Sequence, residues 1–224
     1  RGQGVHEWVF LGDFVGYGAD PDWVVDTVRE FVAQGAVAVQ GNHDQAVVKG
    51  ASPGMRPDAR FVIEWTRAHL SADQIGFLAG LPMAEQRHDQ LYVHANAWNP
   101  EGWEYILGRS EAQRSIWATD RHYTFCGHVH EPRLYYASGV GKVADFVPTP
   151  GVAIPMPPHR RWLAIPGSAG QPRDGNPAAC YAVFDDLLRE LTFHRVPYDF
   201  DGAGAKILAA QLPQRLASRL GDGQ

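Results

Sequence analysis

Short apolar runs that end abruptly in small and polar residues recur along this chain. Residues 8–11 (Trp-Val-Phe-Leu) are followed by Gly12-Asp13, and residues 36–39 (Ala-Val-Ala-Val) lead, through one further residue, to Gly41-Asn42-His43-Asp44. Continuous apolar runs of this length are typical of strands that are covered on both faces. Ligands of open α/β sheets bind at the carboxyl ends of the strands, so these polar ends mark a candidate site.

A helix is predicted between these two strands. Asp20-Pro21 offers a capping residue and a first-turn proline, apolar residues recur at helical spacing up to about Gln34, and Gly35 provides the stop. A strand–helix–strand unit of this kind has parallel strands and a right-handed crossover. Asp13 and Asn42 are therefore predicted to leave neighbouring strands at the same edge.

Two further predicted strands lead to histidines. Residues 91–93 precede His94, and residues 123–126 precede Gly127-His128-Val129-His130. Residues 46–60 are rich in Gly and Pro and are predicted to form a loop. The helices predicted in this part cover residues 59–69, 71–80 with a capping box at its start, and 111–118.

The C-terminal part shows a different pattern. Short apolar strands follow one another with Gly- and Pro-rich connections and no helices between them, which favours an antiparallel second sheet. These predicted strands cover residues 134–137, 142–146, 162–165, 180–184 and 190–195. Residues 205–220 predict a terminal amphipathic helix that Pro213 kinks or divides. No convincing linker interrupts the pattern, so residues 1–224 are predicted to form a single domain.

Composition narrows the class of protein. The chain has 224 residues, of which 45% are hydrophobic, enough for one sizeable core. The formal net charge is −5 and no run of Lys or Arg is present, which makes long nucleic acid an unfavoured partner. No apolar stretch is long enough to span a bilayer, and the two cysteines are too few for a disulfide scaffold. A cytoplasmic location is expected.

Five residues of types that bind metals follow the predicted strands. They are Asp13, Asn42, His94, His128 and His130. Mixed oxygen and nitrogen donors suit Mn, Fe, Zn, Co or Ni, and two histidines at the end of one strand suit two metals a few ångströms apart. Taken singly, each residue is equally typical of a turn or of a structural hydrogen bond. Their recurrence at strand ends of the same kind favours a metal site.

The same segments resemble a known family. Residues 12–18 (Gly-Asp-Phe-Val-Gly-Tyr-Gly), Gly41-Asn42-His43-Asp44, Val93-His94-Ala95 and Gly127-His128-Val129-His130 resemble the calcineurin-like metallophosphoesterases in order and at compatible spacing. Residues 167–173 (Gly-Ser-Ala-Gly-Gln-Pro-Arg) resemble a segment of the bacterial and archaeal phosphoesterase branch. The resemblance implies a four-layer αββα sandwich, with two mixed β-sheets flanked by helices.

The resemblance also implies a ligand set. Asp13 would bridge two divalent metals, with manganese expected to support activity, and His130 would bind one of them. Asn42, His94 and His128 would complete the other metal. A metal-activated hydroxide at this dinuclear centre would then attack phosphorus.

Two residues of the Gly-Asn-His-Asp segment have implied catalytic roles. His43 would be the general acid, or would stabilise the transition state near the leaving group. Asp44 would orient the His43 imidazole, because a carboxylate partner selects the tautomer of a histidine ring.

The opening motif of the family has no counterpart among these segments. The family opens with a strand that ends in Asp-x-His, and no such motif precedes Asp13. Because the chain starts at Arg1 rather than Met, an N-terminal strand and first helix are expected to precede it in the natural protein. Without them, we expect weak occupancy of the second metal and little activity.

The substrate is predicted only by class. The expected function is hydrolysis of small phosphomonoesters or phosphodiesters, with Tyr17, Trp98 and Arg173 as candidate substrate contacts. A protein serine/threonine phosphatase and a dinucleotide polyphosphate hydrolase use similar motifs and stay open as alternatives. A non-catalytic metal- or phosphate-binding regulatory module is the alternative of another class, and the oligomeric state is open.

Overall fold

A parallel strand pair and its crossover helix come first in the computed structural model, which describes residues 4–51, 55–139 and 141–224. Strand β1 covers Val9–Phe10, helix α1 covers Pro21–Ala33, and strand β2 covers Val37–Ala38. The two strands pair in parallel, Val9 with Val37 and Phe10 with Ala38. The predicted strand–helix–strand unit is confirmed, and it brings Asp13 and Asn42 to the same edge.

A short helix, α2, takes up the start of the predicted loop. It covers Asn42–Lys49 and starts immediately after Gly41, whose backbone is extended (φ −96°, ψ 171°). The prediction of a loop over residues 46–60 is therefore wrong for residues 46–49, and also for residues 57–60, which lie in the next helix; its residues 52–54 lie outside the described residues. Gly50 follows the last residue of α2, and the eight residues before it suffice for two helical turns. The start of the Asn-His-Asp segment thus lies in the first turn of a helix, not on a strand.

The remaining helices follow the predicted order with small shifts of their ends. They are α3 Pro57–His69, α4 Ala72–Ala79, α5 Arg109–Trp117, α6 Phe200–Ala209 and α7 Gln214–Asp222. The capping box of α4 is confirmed, because Ser71 accepts from the Gln74 backbone and Gln74 accepts from the Ser71 backbone. Pro213 divides the terminal helix into α6 and α7, as one of the two predicted outcomes.

Nine further strands form two sheets. They are β3 Ala84–Arg87, β4 Gln90–Val93, β5 Tyr123–Cys126, β6 Arg133–Ala137, β7 Val143–Phe146, β8 Ala153–Pro155, β9 Arg161–Ile165, β10 Ala179–Asp185 and β11 Glu190–Val196. One sheet has the order β3-β4-β5-β9-β6-β7 and is mixed, with β4, β5 and β9 parallel to one another. The other has the order β10-β11-β8 and is antiparallel.

The C-terminal strands are therefore distributed differently from the prediction. Strands β6, β7 and β9 join the sheet of β4 and β5, and only β10 and β11, with the unpredicted β8, form the separate antiparallel sheet. Short connections without helices indicate antiparallel neighbours. They do not reveal that β9 returns to the gap between β5 and β6, where it pairs in parallel with one and antiparallel with the other.

The strands and helices stack in four layers. A buried apolar cluster joins residues of β2 and β11 to residues of β4, β5, β6 and β9, so the two smaller sheets together cover one face of the six-stranded sheet. Helices α1 to α4 pack on the outer side of β1 and β2, and α5 packs on the outer face of the six-stranded sheet. The predicted arrangement of mixed β-structure flanked by helices is confirmed. One β-layer consists of two pieces that do not pair with each other.

None of the described helices is long and apolar enough to cross a membrane.

Candidate metal centre

Tight backbone turns follow the strands that carry the predicted ligands. Asp13, His128 and His130 adopt left-handed backbone conformations (φ 57°, 63° and 67°), which are uncommon for residues other than glycine. Such conformations concentrate at functional sites, where the surrounding structure enforces them. Gly12 sits so close to Gly41 that an added Cβ would lie 2.6 Å from the Gly41 nitrogen. The ends of β1 and β2 can therefore approach only through glycine.

Three imidazoles are fixed by backbone carbonyls. His94 Nδ1 donates to the Leu11 carbonyl (2.5 Å), and His128 Nε2 donates to the Trp103 carbonyl (2.9 Å). His130 Nδ1 donates to the Gln171 carbonyl (2.7 Å). A neutral imidazole that donates through one nitrogen presents a lone pair on the other, which is how metal-binding histidines are oriented in proteins.

Four of the five predicted ligands converge on one point. His94 Nε2 lies 3.1 Å from His128 Nδ1, 3.2 Å from Asn42 Oδ1 and 3.4 Å from Asp13 Oδ2. Ligand atoms of Asp13, His94 and His128 all lie within 4.8 Å of one another. Asp13, Asn42, His94 and His128 are called the metal cluster below. Two imidazole lone pairs facing each other at 3.1 Å repel unless a cation or proton lies between them, so this donor set fits a divalent metal.

Burial and charge prepare these groups for a cation. Burial alone would raise the pKa of the Asp13 carboxyl, but His94 and His43 hold that pKa well below its usual range. Burial, followed by the charge of His94, lowers the pKa of His128 to about 4. Burial opposes charge on His94, yet Asp13 raises the pKa of that imidazole. An ionised carboxylate beside imidazoles is the protonation state that metal binding requires.

His130 lies apart from the metal cluster. Its ring centroid is 5.5 Å from that of Tyr17, and burial together with the Arg173 guanidinium lowers its pKa to about 3. The assignment of His130 to a second metal stays a prediction. Among the described residues, only Asp13 is available from the predicted set to share that metal.

Asp44 does not contact the His43 imidazole, so the prediction that it orients this ring is wrong. Asp44 Oδ2 accepts from the backbone N–H groups of Gly41 and Asp13 (both 2.8 Å), and Oδ1 accepts from that of Phe14 (2.9 Å). Both oxygens are thereby used. Burial and the charge of Asp13 raise the pKa of Asp44, whereas the hydrogen bonds from the backbone N–H groups of Gly41 and Asp13 lower it. Asp44 joins the end of β1 to the start of α2.

His43 is held by its backbone and by a stacked ring. Its N–H donates to Asp13 Oδ1 (2.9 Å), and its imidazole stacks on Tyr17 with centroids 4.3 Å apart. Its Nδ1 is buried and has no hydrogen-bond partner among the described residues. Burial lowers the pKa of His43, and Asp13 opposes that effect. The ring is therefore positioned by packing rather than by a carboxylate.

A cavity of about 240 Å³ opens beside His43. Its lining is mostly apolar, with one guanidinium at the edge; the lining residues are Asn42, His43, Ala46, Met55, Arg56 and Ala59. A leaving group on the His43 side of the metal cluster would fit in this cavity.

The three candidate substrate contacts occupy different places. Tyr17 donates its hydroxyl to Asp13 Oδ2 (3.1 Å) and lies inside the site. The Arg173 guanidinium carbon lies 6.0 Å from the Tyr17 ring centroid, and its nitrogens donate to Gln171 Oε1. Trp98 instead donates its indole N–H to Glu104 and packs under Arg114. These contacts anchor the loop, so the structure does not bring Trp98 to the metal cluster.

The contacts by which several residues support the histidines were not predicted from the sequence. Tyr105 stacks on His128 with ring centroids 3.9 Å apart, and Trp103 presents its carbonyl to the same imidazole from a left-handed conformation. Gln171 is buried, supplies the carbonyl that holds His130 and accepts from Arg173. The aromatic richness of residues 95–105 was the available signal for the first two. No local pattern marks a carbonyl as a histidine partner.

The family comparison agrees with this geometry. The model of the calcineurin-like phosphoesterase superfamily domain matches residues 1–186 of the chain. The uncharacterized protein MJ0912 of Methanocaldococcus jannaschii is 30% identical over 230 residues, which cover 98% of this chain and 88% of that protein.

Solved structures share the fold. The crystal structure of a metallophosphoesterase from Sphaerobacter thermophilus superimposes with a TM-score of 0.87 at 35% identity, covering 98% of this chain and 89% of the other. The hypothetical protein PH1004 from Pyrococcus horikoshii has a TM-score of 0.76 at 16% identity, covering 98% and 86%, and this likeness concerns the fold alone. With its strand-end ligands in place, the chain belongs to the calcineurin-like phosphoesterase superfamily.

Proposed function

We propose that this chain is a metal-dependent phosphoesterase that hydrolyses small phosphomonoesters or phosphodiesters. The convergence of oxygen and nitrogen donors around His94 Nε2, within 3.1 to 3.4 Å, is the observation that carries the proposal. Membership of the superfamily supports a hydrolase of this broad type. The single site for both metal and substrate is the edge where β1, β2, β4 and β5 end.

The chain's residues would share two divalent cations. Asp13, Asn42, His94 and His128 would hold one, and Asp13 and His130 would contribute to the other, with manganese as the metal expected to support activity. When bound, such cations polarise water and offset the charge of the phosphoryl oxygens. The carbonyls of Leu11 and Trp103 would keep the imidazoles of His94 and His128 in the tautomers that expose their lone pairs.

His43 would act on the leaving group. Its imidazole lines the cavity beside the metal cluster, so a leaving oxygen on that side lies within its reach. A neutral imidazole there can donate a hydrogen bond to that oxygen, and a protonated one can transfer a proton. Tyr17 holds the ring by stacking on it, which replaces the predicted orientation by Asp44.

Turnover by a metal-stripped protein resupplied with manganese tests this function. We expect hydrolysis of p-nitrophenyl phosphate or bis-p-nitrophenyl phosphate, and we expect His43→Ala to lose about 100- to 10,000-fold in kcat, the range of general acid–base catalysis. His159→Ala, at an exposed turn, is the matched control and should keep its turnover. Unchanged kcat in His43→Ala would remove the assigned role of that residue.

A non-catalytic metal-binding module is the second candidate. The position of His130 outside the metal cluster favours it, because that arrangement supports one cation more readily than two. Two metals per chain with turnover support the enzyme, whereas one metal without turnover on either ester supports the module. The location is still expected to be cytoplasmic, which the free thiols of Cys126 and Cys180 suit.

A further inference from the structure

Four arginines from two loops and α7 have no carboxylate partner among the described residues. They are Arg56, before α3, Arg173, in the loop after β9, and Arg215 and Arg219, both on α7; they are called the arginine cluster below. Every ion pair among the described residues uses other cations. Within the described part of the chain, the Arg173 guanidinium donates its hydrogen bonds to the neutral amide of Gln171.

The end of α7 is fixed against the loop that carries Arg173. The Gly175 N–H donates to the Gly223 carbonyl (2.9 Å), and a Cβ on Gly223 would lie 2.6 Å from the Asn176 nitrogen. Arg215 and Arg219 are four residues apart, so they lie on one face of α7. This docking turns a helix that is remote in sequence toward the Arg173 side of the site.

The pKa of Arg219 responds to the other three arginines. Burial, and then the charges of Arg215, Arg173 and Arg56, lower the pKa of Arg219. Two residues of the arginine cluster also lie beside residues of the site. Arg173 lies over the Tyr17 ring, and Arg56 lines the cavity shared with Asn42 and His43.

Repulsion between like charges makes the arginine cluster unfavourable unless a bound anion neutralises it. Like charges four residues apart on a helix destabilise it by a few tenths of a kcal/mol, about 0.2–0.5. The chain has 25 acidic residues against 20 basic ones, so partners of opposite charge are plentiful elsewhere in the sequence. Guanidinium groups bind phosphate and carboxylate in bidentate geometry, and unpaired ones beside a phosphoryl site are suited to a further anion.

We propose that Arg56, Arg173, Arg215 and Arg219 bind a second anionic group of the substrate, a phosphate or a carboxylate, so that doubly anionic phosphoesters are preferred to simple ones. The assignment rests on the proposed function and names the substrate class of that site. The reacting phosphoryl group lies at the metal cluster. The second anion lies at the arginine cluster, and the chain between them crosses the cavity beside His43.

A homologous series of substrates tests the preference. α,ω-Alkanediol bisphosphates and the alkyl monophosphates of equal length differ only in the second anion, and ω-carboxyalkyl phosphates distinguish carboxylate from phosphate. We expect the ratio of kcat/KM for bisphosphate to monophosphate to exceed about 10 at the best chain length, and to fall about 10-fold in Arg219→Gln and further in the double variant with Arg215→Gln. Most of the change should be in KM.

Controls separate this effect from a general loss of charge. Arg29→Gln, on the exposed part of α1 toward the opposite ends of the strands, removes one positive charge and should leave the ratio unchanged. Arg219→Lys keeps the charge without the bidentate geometry and should recover part of the ratio. Equal losses for bisphosphate and monophosphate in Arg219→Gln would overturn the proposal, as would a wild-type ratio near one.

Binding to the metal-stripped protein separates the inference from the proposed function. Calorimetry with propane-1,3-diol bisphosphate requires no turnover, and we expect binding that weakens about 10-fold in Arg215→Gln, whose side chain is exposed and whose fold should be kept. That result without turnover would retain the anion site while rejecting the enzyme. Turnover together with bisphosphate binding that is insensitive to Arg215→Gln and Arg219→Gln would retain the enzyme while rejecting the anion site.

Discussion

The metal cluster and the arginine cluster face the same space but are constructed by different means. The metal cluster consists of nearly buried side chains from strand ends and one helix start, and three of its donor atoms lie 3.1 to 3.4 Å from His94 Nε2. The arginine cluster consists of long, half-exposed or exposed side chains from two loops and a C-terminal helix. One region is held rigidly by backbone carbonyls, and the other is adjustable. Under the two proposals made above, the core would fix the position of the chemistry, and the periphery would select the substrate.

Removing a central ligand should have the largest effect. His94→Ala takes away the imidazole nitrogen around which the other donors gather, so metal affinity should fall by more than 100-fold, since even outer partners of ligands contribute about 10- to 100-fold. Metal content after dialysis and turnover with manganese measure the loss. The double variant Arg215→Gln, Arg219→Gln should retain its metal. If it lost metal as His94→Ala does, the two clusters would not be independent.

Asp44 provides the next largest effect, on stability rather than on chemistry. Asp44→Asn leaves an amide N–H₂ facing backbone N–H donors, and the loss of buried charge-assisted hydrogen bonds should cost about 2–4 kcal/mol of unfolding free energy. Denaturant unfolding of the metal-stripped protein measures it. Asp73→Asn, in the exposed first turn of α4, is a matched control. A variant that unfolds like the wild type but does not turn over would restore a catalytic role for Asp44.

A pH-dependent effect concerns two histidines, His128 in the metal cluster and His130 near Arg173. In the metal-stripped protein, His128 and His130 have folded-state pKa values of about 4 and about 3, below the ordinary 6.5. The unfolded chain therefore takes up protons first, and their contribution to stability decreases as the pH falls from about 6.5 toward 4. His94, whose pKa is raised, contributes in the opposite direction. The melting temperature should decrease over this range.

Arg173 distinguishes the two histidines. Burial comes first in lowering the pKa of His130, and the Arg173 guanidinium comes second, whereas for His128 the second cause is His94. Arg173→Gln should therefore raise the pKa of His130 and leave that of His128 in place, as measured by NMR titration of the metal-stripped protein. Equal shifts of both would place Arg173 nearer the metal cluster than its contact with Tyr17 indicates.

The metal cluster could be predicted from the sequence because each member lies at a local discontinuity. Asp13, Asn42, His94 and His128 follow apolar runs, and the parallel pairing of β1 and β2 was deducible from the helix between them. The role of Asp44 could not be deduced, because it depends on whether the side chain points to His43 or to the backbone N–H groups of another segment. The orientation of the Asp44 side chain follows from helix α2. The sequence at the start of this helix resembles the end of a strand, so the helix was not predicted.

The arginine cluster could not be predicted because nothing in its local sequence distinguishes it. Arg56 and Arg219 are 163 positions apart in the numbering, and each looks like an ordinary surface charge. The docking of α7 on the loop after β9 brings the helix that carries Arg219 against the loop that carries Arg173, which no local pattern reveals. Likewise, no periodicity reveals that β9 inserts between β5 and β6, since this depends on the order in which whole strands pair.

The contact between Gly12 and Gly41 has a consequence for how this protein can be re-engineered. Because backbone meets backbone there, no side chain can be introduced beneath the metal cluster to reshape it. A library aimed at new substrates should leave these positions alone and randomise α7 and the cavity wall instead. Changes of specificity in this scaffold are therefore expected at α7 and the cavity wall, whereas Gly12 and Gly41 do not tolerate side chains.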